Sequence, residues 1–532
     1  MEKMLGVMLD CSRNAVMKPE MVKKYAQILK KMGYNTLMLY TEETYEIPSQ
    51  PYFGHLRGRY SMQELKDMDA YCQSIGIEMI PCIQTLAHLQ AMFKWGPEYD
   101  GIKDCDDILL IGEEKTYELI EDMFKTLSEC FTSKKIHIGM DEAYRVGSGE
   151  YLKRNGNRDR FDIINEHLHK VCDIAEKYDM QPMIWNDMFI KLASGLSGTD
   201  NLYGEMDTAK ILEKAALPDN ISLVYWDYYH TEYDYYVKQI KSNKLFNRPV
   251  YFAGGAWTWR GFASDNTFSM ETTEPAVKAC MDEGVEGVFF TVWGDDGAEC
   301  PVFAVLPSLM FAAEISKGNY DMDSIKAKFK EIVGVEFDSF MLFDKIDYHE
   351  GKHLVSSGKY LFYNDPFMGI RDALCSGDED KHYSNLAKEI RDVSEKGEFT
   401  HIFNAYEALA DALSIKATLG IRTRKAYLAG DKEALRALVG EYTLCADKIR
   451  AFHEAHQTRW FADSKPHGFD IQDSRIGGLI QRVISCGNRL EKYVSGEISE
   501  IPELLEPVLE GHNGRVAHWW RCITPNAITM HM

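Results

Sequence analysis

The sequence has few basic residues for its acidic content, and it lacks a long apolar run. Lys and Arg number 60 against 82 Asp and Glu among 532 residues, which gives a formal net charge of −22. Nucleic acids and anionic membrane surfaces bind basic faces, so no nucleic-acid partner is expected. The longest apolar stretch, residues 302–313, is interrupted by Pro307 and falls short of the roughly 20 residues that a membrane-spanning helix needs. No membrane partner is expected either, and we predict a soluble protein.

Motifs for disulfides, metals, nucleotides and export are also missing. The 12 cysteines are scattered, with no Cys-x-x-Cys pair, which is typical of reduced thiols and gives no support to a zinc site or a disulfide framework. No glycine-rich phosphate-binding loop occurs, which gives no support to nucleotide binding. We therefore expect neither a metal nor a cofactor. Asp10 interrupts the first apolar stretch before it reaches the length of a signal-peptide core, and we therefore expect a cytoplasmic location.

Short apolar runs alternate with segments of helical periodicity as far as about residue 316. The eight runs that we predict as strands are residues 5–9, 36–40, 78–83, 136–139, 182–185, 222–226, 250–253 and 288–292. The helical segments include residues 19–32, 61–75, 115–131, 161–178, 273–283 and 302–316. Eight strand–helix units predict an α/β fold, a (β/α)8 TIM barrel, which typically takes about 250 residues or more. An open doubly wound sheet is the alternative, but such sheets rarely contain eight of these units.

Helical patterns dominate the rest of the chain, at residues 322–333, 383–393, 403–419, 432–453 and 475–494. We therefore predict two domains, a catalytic barrel over residues 1–316 and a mostly α-helical C-terminal domain over residues 317–532. No glycine- or proline-rich linker separates them, so firm packing of one on the other is expected. The dense polar and aromatic residues at 459–461 and 465–469 predict a loop that packs against the barrel, or against a second subunit in a homodimer.

Polar and aromatic side chains follow the predicted strands where barrel enzymes place their chemistry. In chain order these are Asp10, Arg13, Glu42, Glu43, Gln84, His88, Asp141, Glu142, Trp185, Asn186, Asp187, Trp226, Asp227, Tyr228, Tyr229, Trp257, Trp259, Arg260, Trp293, Asp295 and Asp296. Aromatic faces stack on pyranose rings, and carboxylates bind sugar hydroxyls. A single tryptophan at a strand end is more often part of the core, but three at one rim beside aspartates favour a sugar site. The expected partner is a small oligosaccharide or glycoconjugate.

The fourth predicted strand leads into two adjacent carboxylates, Asp141 and Glu142. Conventional glycosidases need carboxyls about 5 to 9.5 Å apart that face each other across the scissile bond, which neighbours on one strand rarely do. A 2-acetamido sugar supplies its own nucleophile, because its carbonyl oxygen can attack C1. One carboxylate then holds the acetamido group, and the other serves as acid and base. We predict Asp141 for the first role and Glu142 for the second, since an ionised neighbour raises the pKa of a carboxyl.

Residues 137–142 read His-Ile-Gly-Met-Asp-Glu, which resembles the motif His-x-Gly-Gly-Asp-Glu of glycoside hydrolase family 20, the β-N-acetylhexosaminidases, with Met140 as the departure. Residues 6–13 resemble the first strand of that family, whose arginine holds the sugar O3 and O4 hydroxyls, and this role falls to Arg13. Residues 80–88 resemble the family's Pro-Glu-Ile-Asp-x-Pro-Gly-His, with the proline and histidine kept and both acids lost. His88 is the substrate-binding candidate from this segment.

Further site residues are implied by the same resemblance. The family surrounds the acetamido group with tryptophans, which here are Trp185, Trp226 and Trp293, and it places an acid near O4 and O6, here Asp295. The tyrosine that binds the acetamido oxygen normally follows strand seven, where this chain has Gly-Gly-Ala-Trp-Thr-Trp instead. Tyr228 and Tyr229, after strand six, are the two substitutes, and the choice between them is open. By their positions after strands five and seven, Asp187 and Trp257 are also substrate-binding candidates; the alternative for Asp187 is that it orients neighbouring side chains.

The resemblance implies an exo-β-N-acetylhexosaminidase that removes terminal β-linked GlcNAc or GalNAc through an oxazolinium intermediate. It points to a bacterial subgroup with a C-terminal helical domain and without the small α+β domain that other members carry before the barrel. Two alternatives remain. One is a conventional retaining β-glycosidase with Glu142 as acid and a nucleophile such as Asp295, and the other is a sugar-binding barrel without catalysis.

Overall fold

The computed structural model describes residues 3–193, 217–349, 352–353 and 357–508, which include a closed barrel of eight parallel strands. The strands are β1 (Met4–Asp10), β2 (Thr36–Tyr40), β3 (Glu78–Cys82), β4 (Lys135–His137), β5 (Gln181–Trp185), β6 (Ser222–Trp226), β7 (Val250–Gly255) and β8 (Gly287–Val292). Each strand pairs with the next, and β8 pairs with β1. Val7 of β1 lies opposite Leu37 of β2 and Phe290 of β8. The predicted barrel is confirmed, and the open sheet is excluded.

Helices follow the strands around the outside of the barrel. They are α1 (Pro19–Met32), α2 (Met62–Ser74), α3 (Glu114–Cys130), α4 (Arg160–Lys177), α5 (Asp187–Ala193), α6 (Tyr233–Lys244), α7 (Asn266–Glu283) and α8 (Leu306–Ile315). The loops add the short helices Gly96–Tyr99 and Glu150–Asn155 and a hairpin of Lys103–Cys105 with Ile108–Leu109. Local sequence sets several helix ends. At the start of α2, for example, Ser61 and Glu64 form a capping box that satisfies two free backbone amides.

The seventh barrel helix begins earlier than predicted, at Asn266 rather than at residue 273. The Asp265 carboxylate accepts a hydrogen bond from the Phe268 amide and so caps the amino end of α7. Pro275 lies inside the helix. Because proline is usually found in the first turn of a helix, its position draws a sequence-based start toward residue 273.

The chain after the barrel is mostly helical, as predicted. Its helices are α9 (Met322–Val333), α10 (Phe337–Met341), α11 (Ser357–Tyr363), α12 (Glu379–Asp392), α13 (Thr400–Leu428), α14 (Lys432–Asp463) and α15 (Phe469–Ser495), and we refer to them together as the helical region. Single 3₁₀ turns occupy Met92–Lys94, Asp100–Ile102, Val302–Val305, Phe343–Ile346, Asp372–Leu374, Gly397–Phe399 and Pro502–Leu504, and Tyr348–His349 pairs with Lys352–His353. Helices α12 to α15 pack in sequence, each on the next. Among the described residues, none of the helices has both the length and the apolar character that crossing a bilayer requires.

The segment 459–461 is helical, which corrects the prediction of a loop there. Arg459, Trp460 and Phe461 all belong to α14, which continues to Asp463. Trp460 is fully buried, and its indole Nε1 donates a hydrogen bond to the Lys465 carbonyl 3.1 Å away. A helix that presents one face to a neighbouring surface buries such aromatic residues without leaving the helical conformation.

The loop after α14 packs on the barrel. Ser464 pairs with Met17 in an isolated bridge, and the Lys465 amide donates to the Val16 carbonyl at 2.8 Å. The Lys465 ammonium lies 3.0 Å from the Glu64 carboxylate. Buried apolar contacts continue from the barrel into the helical region without a break. The domain boundary at residue 316 therefore stays a prediction, and residues 509–532 of the predicted second domain lie outside the described residues.

The barrel interior becomes richer in aromatic side chains toward the carboxyl ends of its strands. Its middle is filled by buried side chains that include Met8, Met38, Ile80, Met183 and Phe289. The same cluster contains the strand-end residues Trp185, Trp226, Trp257 and Trp259. Because the carboxyl ends of parallel barrel strands meet at one end, these indole rings gather around the opening there.

Candidate active site

A cavity of about 100 Å³ opens among the carboxyl ends of the barrel strands. Its lining consists of Arg13, Tyr40, His88, Asp141, Glu142, Trp185, Trp226, Tyr228, Tyr229, Trp259, Trp293 and Asp295. The lining includes every predicted site residue except Asp187 and Trp257, and it adds Tyr40 and Trp259. Within the described part of the chain, no group of three or more His, Cys, Asp or Glu side chains is placed to hold a metal ion.

The segment that carries the acid pair follows a left-handed course. Strand β4 ends at His137 rather than at the predicted residue 139, and Gly139, Met140 and Glu142 have φ angles of 72°, 71° and 53°. A Cβ atom on Gly139 would overlap the Gln84 side-chain oxygen, so this position requires glycine. Met140 has no such freedom, because left-handed backbone is unfavourable for a residue with a side chain. Surrounding contacts must therefore hold the segment in place.

Gln84, which follows β3, supplies those contacts. Its side-chain oxygen accepts a hydrogen bond from the Met140 amide at 3.1 Å. Its side-chain nitrogen donates to Asp141 Oδ1 at 2.7 Å and to the Tyr40 hydroxyl at 2.9 Å. One amide side chain thus fixes both the backbone before the acid pair and the carboxylate of its first member. The sequence predicts from its strand-end position that Gln84 lies at the rim of the barrel. The family resemblance shows only that an acid is missing from this segment and does not indicate the role of Gln84.

His88 lies between Asp141 and Arg13. Its Nε2 is 3.2 Å from Asp141 Oδ2, and its Nδ1 is 3.4 Å from an Arg13 nitrogen. Burial alone would lower the pKa of His88, but the charge of Asp141 outweighs it and raises the pKa to about 10. For Asp141, burial raises the pKa, but the charge of His88 and the hydrogen bonds from His88 and Gln84 outweigh burial. The pKa of Asp141 is therefore below its usual value. An ionised carboxylate beside a protonated imidazole results at neutral pH.

Glu142 has the opposite electrostatic character from its neighbour. Its side chain is 43% exposed against 14% for Asp141, and its Oε2 lies 3.7 Å from His88 Nε2. Loss of water around the carboxyl raises the pKa of Glu142, and the charge of Asp141 adds to this increase, whereas His88 opposes it. The two adjacent carboxyls therefore differ in proton affinity, with Glu142 the one that holds a proton more tightly.

Asp187 lies behind the acid pair rather than in the cavity lining. It is buried, and its Oδ2 accepts a hydrogen bond from the Glu142 amide at 3.3 Å. Burial and the charges of Asp141 and Glu142 raise the pKa of Asp187 to about 7. The residue follows its strand at the predicted place, but the first turn of α5 directs its carboxylate to the backbone of the acid pair. Contact with a substrate in the cavity is therefore not expected.

Arg13 joins two acids, Glu42 and Asp295. Its Nη2 lies 3.3 Å from Glu42 Oε1, and its Nε lies 3.8 Å from Asp295 Oδ1. Burial raises the pKa of Glu42 to about 7 and that of Asp295 to about 6, although Arg13 lowers both. Glu42 also accepts a hydrogen bond from the Tyr40 hydroxyl at 2.9 Å. A guanidinium and a carboxyl at one wall of a cavity can bind neighbouring sugar hydroxyls.

Aromatic rings form the remaining walls. Trp185 and Trp293 have ring centroids 6.2 Å apart, and Tyr40 meets Trp293 edge-on at 4.7 Å. Trp226 stacks on Tyr228 at 5.2 Å. Rings that are held by one another in this way present flat, rigid apolar faces, which suit the apolar faces of a pyranose.

The two tyrosines after β6 both line the cavity, but they differ in freedom. Tyr228 is buried, and its hydroxyl accepts a hydrogen bond from Trp293 Nε1 at 3.1 Å. Tyr229 is 41% exposed, and its ring meets Trp257 edge-on at 5.5 Å. The choice of the tyrosine that would bind the acetamido oxygen therefore stays open.

Trp257 supports the lining instead of forming it. Its ring stacks on Trp259 at 4.4 Å, and its Nε1 donates to the Tyr228 carbonyl at 3.1 Å. The sequence places both tryptophans after β7, two residues apart, and only the three-dimensional turn of this loop brings Trp259 forward. The position of Trp259 after β7 predicts that it lies at the rim. The sequence alone does not show that Trp259, rather than Trp257, lines the cavity.

Two family models match this chain. The model described as "Glycosyl hydrolase family 20, catalytic domain" matches residues 4–281, and the model described as "Glycoside Hydrolase 20C C-terminal domain" matches residues 338–517. The first match covers the barrel strands β1 to β7 and the acid pair.

Individual relatives are distant. "Hexosaminidase D" of Homo sapiens is 21% identical over 341 residues, which are 58% of this chain and 64% of that protein, and "Hexosaminidase D" of Bos taurus is 22% identical over 44% of this chain and 64% of its own length. The chain thus spans less than two thirds of these relatives. Among solved structures, the β-N-acetylhexosaminidase from Bacteroides fragilis NCTC 9343 is 19% identical and matches with a TM-score of 0.47 over 62% of this chain and 70% of its own.

Proposed function

The chain belongs to glycoside hydrolase family 20, and from that membership we propose that it is an exo-β-N-acetylhexosaminidase. It removes terminal, non-reducing β-linked GlcNAc or GalNAc from a short oligosaccharide or glycoconjugate and keeps the configuration at C1. One observation carries the proposal. The adjacent carboxyls of Asp141 and Glu142 lie in an aromatic cavity with oppositely shifted pKa values. This is the division of labour that an acetamido nucleophile requires.

In the first step the acetamido carbonyl oxygen of the bound sugar attacks C1. The C1–oxygen bond to the leaving group breaks, and Glu142 gives its proton to the departing oxygen. An oxazolinium ring forms on the sugar. The Asp141 carboxylate accepts a hydrogen bond from the acetamido N–H and offsets the positive charge that develops there. His88 and Gln84 orient Asp141 and keep it ionised during this step.

In the second step Glu142, now ionised, takes a proton from water. The hydroxide oxygen attacks C1 from the face that the leaving group vacated, and the oxazolinium ring opens to restore the acetamido group. Two inversions at C1 give net retention. Glu142 is again protonated and ready for the next substrate, so one residue acts as acid and then as base. No metal ion or cofactor takes part in this mechanism.

The other lining residues bind the sugar. In this proposal Trp185, Trp226 and Trp293 surround the acetamido group and the ring, while Arg13 and Asp295 bind sugar hydroxyls. A conventional mechanism with Asp295 as nucleophile does not need the acetamido group, and the comparison of substrates described next distinguishes it. The preference between GlcNAc and GalNAc, the cytoplasmic location and a homodimer stay predictions.

Hydrolysis of an aryl β-N-acetylglucosaminide and of the matching aryl β-glucoside tests the proposal. The glucoside lacks the internal nucleophile, so it should react slower by a factor on the order of 100 or more. A thiazoline analogue of the oxazolinium should inhibit competitively. Equal rates on both substrates would contradict the acetamido mechanism and favour a conventional glycosidase. Saccharide binding without turnover, unchanged in Glu142→Gln, would indicate a binding barrel.

A further inference from the structure

The loop after β8, residues 293–301, has an unusual backbone next to the cavity; we refer to it as the β8 loop. Its first residues include Trp293 and Asp295, which line the cavity. The next three residues, Asp296, Gly297 and Ala298, have φ angles of 51°, 118° and 55°. Left-handed backbone at two residues that carry side chains persists only where surrounding structure holds it.

The barrel holds the beginning of this loop. The Gly294 amide donates to Asp10 Oδ2 at 2.9 Å, and the Thr258 hydroxyl donates to the Trp293 carbonyl at 2.6 Å. Both contacts come before the left-handed residues. These contacts do not hold residues 296–299, which are contacted instead by side chains of the helical region.

Two cations of the helical region pair with two acids of the β8 loop. Arg475 of α15 donates to the Asp296 carbonyl at 2.6 Å, to Asp296 Oδ1 at 3.0 Å and to Glu299 Oε1 at 3.0 Å. The Lys359 ammonium of α11 lies 2.8 Å from Asp296 Oδ2 and 2.7 Å from Glu299 Oε2. All four side chains are nearly buried. Each acid thus contacts both cations, and buried charges of this kind are stable only as a complete set.

Further side chains of the helical region bind the loop backbone. Gln472 donates to the Gly297 carbonyl at 3.3 Å, and Arg459 donates to the Glu299 carbonyl at 3.0 Å. A Cβ atom on Gly297 would lie 2.7 Å from an Arg475 nitrogen, and a φ angle of 118° is unfavourable for a residue with a side chain. The left-handed course of the loop is therefore fitted to the surface of the helical region.

We infer that the helical region is a positioning element of the sugar site. Lys359 and Arg475 hold Asp296 and Glu299, and the loop so held places the Asp295 carboxyl at the cavity wall, 3.8 Å from the Arg13 Nε. This inference rests on the proposed function for the role of Asp295 in sugar binding. Lys359 and Arg475 act through that residue and do not themselves line the cavity.

Loss of Lys359 or Arg475 should raise KM. Asp295 binds sugar hydroxyls, and such contacts are made in the ground state and in the transition state alike. Their loss weakens binding of both states, which raises KM and leaves kcat nearly unchanged. Loss of a group that acts on the reaction itself, such as Glu142, would lower kcat instead.

Arg475→Met with Arg482→Met as the matched control tests the inference. Both arginines lie on α15, seven positions apart, and Arg482 pairs with Asp365, at 2.6 Å, inside the helical region. Arg475→Met should raise KM for an aryl β-N-acetylglucosaminide about tenfold with kcat within about threefold, whereas Arg482→Met should keep both within about twofold. Equal changes in KM for the two variants would overturn the inference.

A double-mutant cycle asks whether Arg475 acts through Asp295. If it does, Arg475→Met should add nothing to the KM of Asp295→Asn. If the KM of the double variant instead rises by the product of the two single-variant factors, the residues act independently and the inference is overturned. If Arg475→Met does not fold, Asp296→Asn replaces it in both measurements, because it removes a charge without changing the size of the side chain. An unchanged KM in that variant would overturn the inference as well.

Hydrogen–deuterium exchange separates this inference from the proposed function. Amides of residues 294–300 should exchange faster in Arg475→Met than in Arg482→Met, and equal exchange would overturn the inference. A wild-type protein that fails to hydrolyse the aryl glycoside would instead contradict the proposed function. In that case faster exchange together with weaker binding of free GlcNAc to Arg475→Met would still support the role of the helical region.

Discussion

Buried charge is balanced behind the β8 loop and unbalanced around the cavity. Behind the loop, two acids meet two cations that contact both of them. Around the cavity, acids outnumber the cations Arg13, His88 and Lys191. The acids are Glu42, Asp141, Glu142, Asp187 and Asp295.

This difference separates two uses of buried charge. Burial, together with the charges of neighbouring acids, raises pKa values around the cavity, to about 7 for Asp187 and about 6 for Asp295, and so brings the titration of these carboxyls toward neutral pH. A balanced set has no excess of acids, and its contacts fix geometry instead. The cavity is therefore suited to proton transfer, and the surface behind the loop is suited to holding a backbone in place.

Replacing Glu142 by Gln should have the largest effect, because it removes the group that we propose to donate and accept the proton. We expect kcat on an aryl β-N-acetylglucosaminide to fall by about 1000-fold, within the usual range for loss of a general acid and base. Steady-state kinetics measures this. Azide needs no base to attack the oxazolinium, so added azide should restore part of the rate. Loss of less than tenfold would remove Glu142 from its proposed role.

Asp141→Asn should have the next largest effect, since it keeps the shape of the side chain and removes its negative charge. We expect kcat to fall by roughly 100- to 1000-fold, as for other groups that stabilise charge in a transition state. Among the acids named above, Asp141 is the one whose pKa lies below its usual value, because His88 and Gln84 outweigh the effect of burial. A variant within twofold of the wild type would contradict the proposed role.

Lys359→Met tests the balanced charges behind the β8 loop. Removing this ammonium leaves two buried carboxylates with one cation, and we expect the free energy of unfolding to fall by about 3 kcal/mol. Urea denaturation measures the loss. Lys326→Met is the matched control, because its partner Asp338 is 70% exposed and the change should be within about 0.5 kcal/mol. A similar loss in both variants would show that burial does not distinguish the two pairs.

The pH profile should show the smallest but most diagnostic effect. Activity needs Asp141 ionised and Glu142 protonated, so kcat/KM should fall below the lowered pKa of Asp141 and above the raised pKa of Glu142. The charge of His88 lowers the pKa of both carboxyls, and His88→Gln should therefore move both limbs of the profile to higher pH. A profile that stays in place would contradict this electrostatic role.

Most of the barrel could be predicted from sequence. Strands β2 and β6 have their predicted limits, and the resemblance to family 20 is confirmed by the family model that matches residues 4–281. The start of α7 and the helical nature of residues 459–461 were not predicted. In both places the local pattern is ambiguous, with Pro275 inside one helix and a buried Trp460 in the other, and tertiary packing decides the outcome.

The cavity lining is less completely predicted than the fold. Asp187 and Trp257 belong to the rim by sequence position, but the structure puts them behind Glu142 and Trp259. The sequence also gives no indication that Gln84 holds Asp141, although the two side chains lie 2.7 Å apart. Position at a strand end brings a residue to the rim, whereas the direction of its side chain depends on loop geometry that sequence periodicity does not specify.

Local sequence is enough to specify the eight strand–helix units, the helical region after them and the adjacency of Asp141 and Glu142. These features depend on apolar periodicity and on covalent order, which can be read along the chain. Which carboxyl of the pair is the more acidic, and which rim residues face the cavity, depends on the folded arrangement. A pKa is set by burial and by charges nearby in space, and the groups that set it here, His88 and Gln84, come from another strand of the barrel.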